Sequence, residues 1–192
     1  MNKKYLETIK IDDLKICNLS YHQKRVDNTI GNAKLDLKKI INPPAEGLLR
    51  CRIVYNLQEY KVEYIPYIKR NVRVLKAVFS DTIEYDKKYE DRTALDLLFE
   101  QRDMCDDILI VKNGYVTDTS IANIAFYDGE KWLTPEKPLL VGTTRARLLE
   151  EKKIFPADIK YEEIYKFKKL ALMNAMIDFD IIAQENIGDV IC

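Results

Sequence analysis

Residues 106–135, DDILIVKNGYVTDTSIANIAFYDGEKWLTP, limit the fold more than any other part of the chain. Short runs rich in Ile, Val, Tyr and Phe are separated by Asn113-Gly114 and Asp128-Gly129. Both dipeptides supply the positive φ angles that a tight hairpin needs. Three or four short strands are expected here, in a β-meander.

The rest of the chain is mixed. YLETIKI alternates and reads as a strand. LKICNLSYHQKRVDNTIGNA starts as a strand and turns helical near Ser20, a plausible N-cap. INPP is a loop, since a residue before proline is pushed out of the helical region. LLRCRIVYN and YKVEYIPYI read as paired strands, and VRVLKAVFS as another. TALDLLFEQRDMC carries Leu95, Leu98 and Phe99 at helical spacing, and VGTTRARLLEEKK reads as a turn running into a helix. YEEIYKFKKLALMNAMI mixes a helix with a final strand. The expected class is α+β, with a small α/β part over residues 1–80 and a larger β-rich part over 81–192.

Composition excludes several functions. Lys+Arg and Asp+Glu both total 31 in 192 residues, so the net charge is +0. A binder of phosphate backbones would carry a basic surplus, so nucleic acid is not expected as a partner, nor is a membrane surface. The four cysteines form no C-x-x-C pair and His22 is the single histidine, which argues against a metal site and against a disulfide framework. No apolar run approaches a signal peptide or a membrane span. A reduced, cytoplasmic protein is the expectation.

Four stretches could carry chemistry. In PLLVGTTRARLLEE, Gly142, Thr143 and Thr144 open a helix, where backbone N–H groups, two hydroxyls and the helix dipole suit a phosphate. No lysine follows in P-loop spacing, and a capped helix with Gly142 allowing the turn explains the stretch equally. In HQKR, His22 and Arg25 share a helix face, and an Arg fork suits a phosphate dianion; an exposed Arg on an amphipathic helix is the ordinary alternative. Asp118 is out of character in a strand. It could accept from a protonated ring nitrogen or simply form a turn with Thr117, Thr119 and Ser120. In YDKKYEDR, Lys87 and Lys88 have the same chemistry, and nothing inside the octet distinguishes them.

Taken in order, these stretches resemble the class-IV aminotransferases, pyridoxal-phosphate enzymes of fold type IV with a D-amino acid aminotransferase-like architecture. YLETIKI resembles the family's FETIRV, and YHQKRVDNTI its HLxRLxxSA helix. KYEDR resembles the KxxNR around the Schiff-base lysine of aminodeoxychorismate lyases. GYVTDTSIANIAF resembles GxVTExxxxNLF, TP…LLVGTTRARLLE resembles TP…xLPGITRxxxLE, and LMNAMIDF resembles xxNALMPV. The match runs from Glu7 to about Phe179.

The resemblance implies a role for each residue. Lys88 stands four before Arg92, as the family's lysine does before its Arg, and Lys87 has no such match. Lys88 would carry the cofactor covalently, Asp118 would pair with the ring nitrogen, and Arg25, Thr143 and Thr144 would bind the phosphate. Asn123 would be a framework residue. The resemblance also implies a cofactor cleft between the two parts and a homodimer. Three positions depart from the family: Asp stands for Glu at 118, the DRGxxYGDGxF segment that usually precedes the ETI strand is missing, and NAMIDF lacks the proline of NALMPV. KYEDR and NAM favour a lyase that converts 4-amino-4-deoxychorismate to 4-aminobenzoate and pyruvate. The alternatives are a branched-chain or D-amino-acid transaminase on the same lysine, and a cofactor-binding fold without turnover.

Overall fold

The structure is a computed structural model that describes residues 3–31, 34–183 and 186–191. The chain forms two compact units, Met1–Lys69 with Lys87–Asp91, and Arg70–Asp86 with Arg92–Cys192. The units interleave in sequence, where a single boundary near Ser80 is expected from composition. The cause is backbone pairing: the Leu6 N–H donates to the Lys88 carbonyl at 2.8 Å, and the Glu90 N–H donates to the Lys4 carbonyl at 3.0 Å. Residues 87–91 are thereby tied to the first strand rather than to the chain around them.

In the first unit, β1 (Tyr5–Asp12) pairs with β2 (Lys15–Ile16) and with β3 (Leu48–Tyr55), and β3 pairs with β4 (Tyr60–Pro66). All pairings are antiparallel, in the order β2-β1-β3-β4. Alternation along β1 puts Glu7, Ile9 and Ile11 on one face, all fully buried. Helix α1 (Leu19–Ile30) buries His22 and Val26, one turn apart. It begins one residue before Ser20, the cap expected from sequence. Asn18 is the cap instead, at φ 53 and ψ 30 with no side-chain cap bond. Asn tolerates this left-handed backbone better than other side-chain-bearing residues. A short helix, α2 (Leu37–Ile40), follows, capped by Asp36. Val26, Leu37, Cys51 and Ile53 close the core over Ile9 and Ile11.

The second unit opens with β5 (Leu75–Phe79) and, beyond the inserted segment, α3 (Thr93–Phe99). The meander then gives four strands: β6 (Asp107–Lys112), β7 (Tyr115–Thr119), β8 (Asn123–Tyr127) and β9 (Trp132–Pro135). Asn113 at φ 51 and Gly114 at φ 80 make the expected hairpin turn. Helix α4 (Thr143–Glu150) leads to β10 (Ile154–Ala157), which lies parallel to β9. The sequence suggests one final strand, but two form, β11 (Lys169–Asn174) and β12 (Asp178–Ala183). The turn between them is held by Asn174 Oδ1, which accepts from the N–H groups of Met176 and Ile177. The strand order is β10-β9-β8-β7-β6-β5, with β11 added on β8 and β12 on β11. Leu109, Ile124, Phe126 and Leu170 of these strands are fully buried, together with Ile164 from the turn before β11.

Cys17 and Cys51 are free thiols. Cys105 is disulfide-bonded, so the fully reduced chain expected from sequence is corrected at that residue. Among the described residues, no helix is long and apolar enough to cross a membrane.

Candidate active site

Each unit holds a buried carboxylate within a polar group. In the first unit this is Glu7, which lies in the YLETIKI match but is given no role there. Its Oε1 accepts from Arg25 Nε at 2.7 Å, and its Oε2 accepts from Arg25 Nη2 and His22 Nδ1, both at 2.6 Å. The geometry follows from the two periodicities: Glu7 points off β1 on the side of Ile9, and His22 and Arg25 are three apart on α1. Burial pushes Glu7 up, but the Arg25 charge and the bonds from His22 and Arg25 outweigh it, and its pKa falls to about 2. Burial holds His22 below its ordinary value, with help from the charges of Arg25 and Lys88 and against the pull of Glu7. His22 is therefore a neutral donor to Glu7 rather than a second ion-pair partner. Lys88 lies near enough for His22 to feel its charge, whereas Lys87 Nζ sits over the Tyr5 ring, 5.8 Å from its centroid. The first unit thus brings together Arg25 and Lys88, and separates Lys88 from Lys87.

In the second unit, which also buries Asp107 on β6, the carboxylate within such a group is Asp118, on β7. Its Oδ1 accepts from Asn123 Nδ2 at 2.6 Å and its Oδ2 from the Leu140 N–H at 2.9 Å. Burial dominates here. It pushes Asp118 from 3.8 to about 7, against the pull of those donors and of Arg145. Residues Thr143 and Thr144 open α4, both buried, behind Gly142, which supplies no side-chain cap. Thr144 Oγ1 is buried without a hydrogen-bond partner. Arg145, which the sequence reading passed over, is buried beside them and donates from Nη2 to the Pro135 carbonyl at 2.8 Å. The 118, 143 and 144 positions thus come together on one unit.

Signals for the missed residues exist. Glu7 is a carboxylate on the same strand face as two isoleucines, and only a buried partner makes that tolerable. Asn123 follows a hairpin and, being a strand-initial amide, has a side chain to spend on its neighbour across the ladder.

The second group fits pyridoxal phosphate. A buried hydroxyl with no partner, beside uncapped N–H groups of a helix start, suits the phosphate. A buried carboxylate suits a protonated ring nitrogen, whose positive charge would favour the ionised form against burial. A family model for class IV amino-transferases matches residues 87–183. The chain belongs to the class-IV aminotransferase family.

A Haemophilus influenzae protein whose name states no function is 39% identical over 180 residues, covering 88% of this chain and 96% of its own. Among solved structures, a Haemophilus somnus protein provisionally named a 4-amino-4-deoxychorismate lyase is 40% identical, with a TM-score of 0.85 over 92% of this chain and 97% of that one. A Brucella abortus aminotransferase bound to the cofactor PLP shares the fold at 13% identity, with a TM-score of 0.72 over 94% of this chain and 80% of that one. This class-IV aminotransferase family member is thus an α+β protein of fold type IV.

Glu7 and Asp118 respond to pH in opposite senses. Glu7 stabilises the fold fully above its ordinary 4.5, and that contribution is lost as pH falls through about 2. Removing it takes three hydrogen bonds to a buried carboxylate from Arg25 and His22, so Glu7→Ala should cost about 3–5 kcal/mol in urea unfolding at pH 7; a loss below about 1 kcal/mol contradicts the buried triad. Asp118 keeps its proton when folded and gives it up at 3.8 when unfolded, so its contribution is present below that value and is lost as pH rises through about 7. Asp118→Asn cannot ionise. The melting temperature of the cofactor-free variant should therefore fall less steeply than that of wild type between about pH 4 and 7, with the remaining slope including that of buried Asp107, and equal slopes in the two proteins contradict it.

Proposed function

We propose that this family member is a pyridoxal-phosphate-dependent lyase acting on 4-amino-4-deoxychorismate, which releases pyruvate and leaves 4-aminobenzoate. What supports this reading most is the 40% identity, along nearly the whole of both chains, to the Haemophilus somnus protein that carries that name. The likenesses to transaminases among solved structures lie between 13% and 17% identity and support the fold alone.

The bound cofactor supplies an aldehyde that takes up the substrate amine and a ring that draws electrons from the bonds beside it. The chain's own residues then have distinct tasks. Thr143 and Thr144 on the second unit would hold the phosphate, and Arg25 on the first unit would be a further anion-binding residue. Glu7 occupies the Nε and Nη2 edge of Arg25, which fixes the plane of the guanidinium for an anion. Asp118 would pair with the ring nitrogen and keep it protonated. The Lys88 amine would hold the cofactor until substrate arrives, and would then take the proton from the amine-bearing ring carbon as the C–O bond to the enolpyruvyl group breaks and pass it to the leaving group, which becomes pyruvate as the ring becomes aromatic. The balance needs no oxidant, since the aromatic ring forms by elimination. The homodimer that the family suggests belongs to the same proposal.

Purified protein with added pyridoxal phosphate and 4-amino-4-deoxychorismate should release pyruvate and 4-aminobenzoate in equal amounts. Amino-group exchange between amino-acid and keto-acid pairs, without either product, would replace this reading with a transaminase. Cofactor uptake with neither reaction would reduce the protein to a binding fold.

A further inference from the structure

We propose that Asn123 is a positioning residue that ties the Asp118 carboxylate to the turn opening α4, so that one side-chain amide sets both the ring-nitrogen end and the phosphate end of the cofactor site; the inference rests on the cofactor reading above.

Asp118 and Asn123 face each other across the β7–β8 ladder. The turn between them is closed by Thr119, whose N–H donates to the Ala122 carbonyl and whose Oγ1 accepts from the Ala122 N–H. This fixes the amide beside the carboxylate. Asn123 Nδ2 has two hydrogens and both are used: one goes to Asp118 Oδ1 at 2.6 Å, the other to the Leu140 carbonyl at 2.8 Å. The Leu140 N–H in turn donates to Asp118 Oδ2. Carboxylate, amide and the Leu140 backbone thus close a ring of hydrogen bonds, and the charged group facing it is Arg145 on α4.

Two residues further on, Gly142 accepts the first helical bond of α4, from the Ala146 N–H. The Gly142 backbone, at φ −72 and ψ 147, is open to any residue. The sequence reading in which glycine allows the turn is therefore corrected: the backbone makes no such demand. The amide does. A Cβ on Gly142 would collide with Asn123 Oδ1 and stand 3.2 Å from Asn123 Cγ. Because Nδ2 must serve both acceptors, Asn123 cannot turn its oxygen away without losing them. Glycine at 142 lets the start of α4, with Thr143 and Thr144, settle against the amide that grips Asp118.

The test uses the full chain before cofactor is added, with inorganic phosphate as the probe of α4 and carbon-13 resonances of labelled aspartate as the probe of Asp118. Asn123→Ala should raise the Asp118 titration midpoint and weaken phosphate binding about tenfold, the loss expected when one hydrogen bond goes. Thr144→Val should weaken phosphate and leave the midpoint alone. Gly142→Ala should weaken phosphate about tenfold in the wild-type background and have no further effect once Asn123 is Ala, because the colliding oxygen is gone. Should Asn123→Ala not fold, Asn123→Ser keeps one donor, removes the collision and serves in its place. The proposal is overturned if Asn123→Ala lowers only the melting temperature, if the Gly142→Ala effect is the same in both backgrounds, or if wild type binds no phosphate. Failure of the cofactor reading looks different: wild type binds phosphate with the couplings above, and takes up no pyridoxal phosphate.

Discussion

A carboxylate can be buried in a strand only if donors replace the water it loses. Asp118 meets that condition with an amide and a backbone N–H, and much of the second unit is arranged to supply them. The β7–β8 turn brings the amide, the connection after β9 brings the Leu140 N–H, and α4 starts where the same amide leaves room. Neutral donors stabilise the ionised form less than a charge would, so burial prevails and the proton stays until about pH 7. A carboxylate in that state is poised to share a proton with a ring nitrogen, the task proposed for it.

Glu7 is as deeply buried and behaves in the opposite way, held to about 2. The difference lies in the partner. Arg25 brings a full charge and two bonds in fork geometry, and His22 adds a third bond while staying neutral. Glu7 is thus a permanent anion that orients a cation. The same side-chain chemistry yields a fixed counter-charge on one unit and a proton-holding group on the other, and only the identity of the neighbours decides which.

What the sequence revealed was local. The Asn113-Gly114 hairpin depends on φ angles that two adjacent residues dictate, and it forms as expected. Asp118 stood out because strands rarely hold Asp. The start of α1 was misplaced because Ser20 is the better cap by chemistry, while the backbone turned at Asn18. The Glu7 group was hidden because its partners lie 15 and 18 residues away and a Glu in an alternating strand passes for a solvated one. Asn123 was set aside as framework because its second bond reaches 17 residues ahead, to a backbone oxygen that carries no sequence signal. The interleaved units were hidden for the same reason, since the pairing of Leu6 with Lys88 is a backbone contact between distant residues.

The account turns on Lys88. Motif spacing distinguishes it from its neighbour, and the structure gives the two lysines different surroundings, one felt by His22 and the other over the Tyr5 ring. Borohydride reduction of the protein with pyridoxal phosphate, followed by peptide mapping, asks the question directly. The account expects the cofactor fixed on Lys88, unchanged labelling in Lys87→Ala and none in Lys88→Ala. A label on Lys87, or on neither lysine of the wild-type protein, would contradict it.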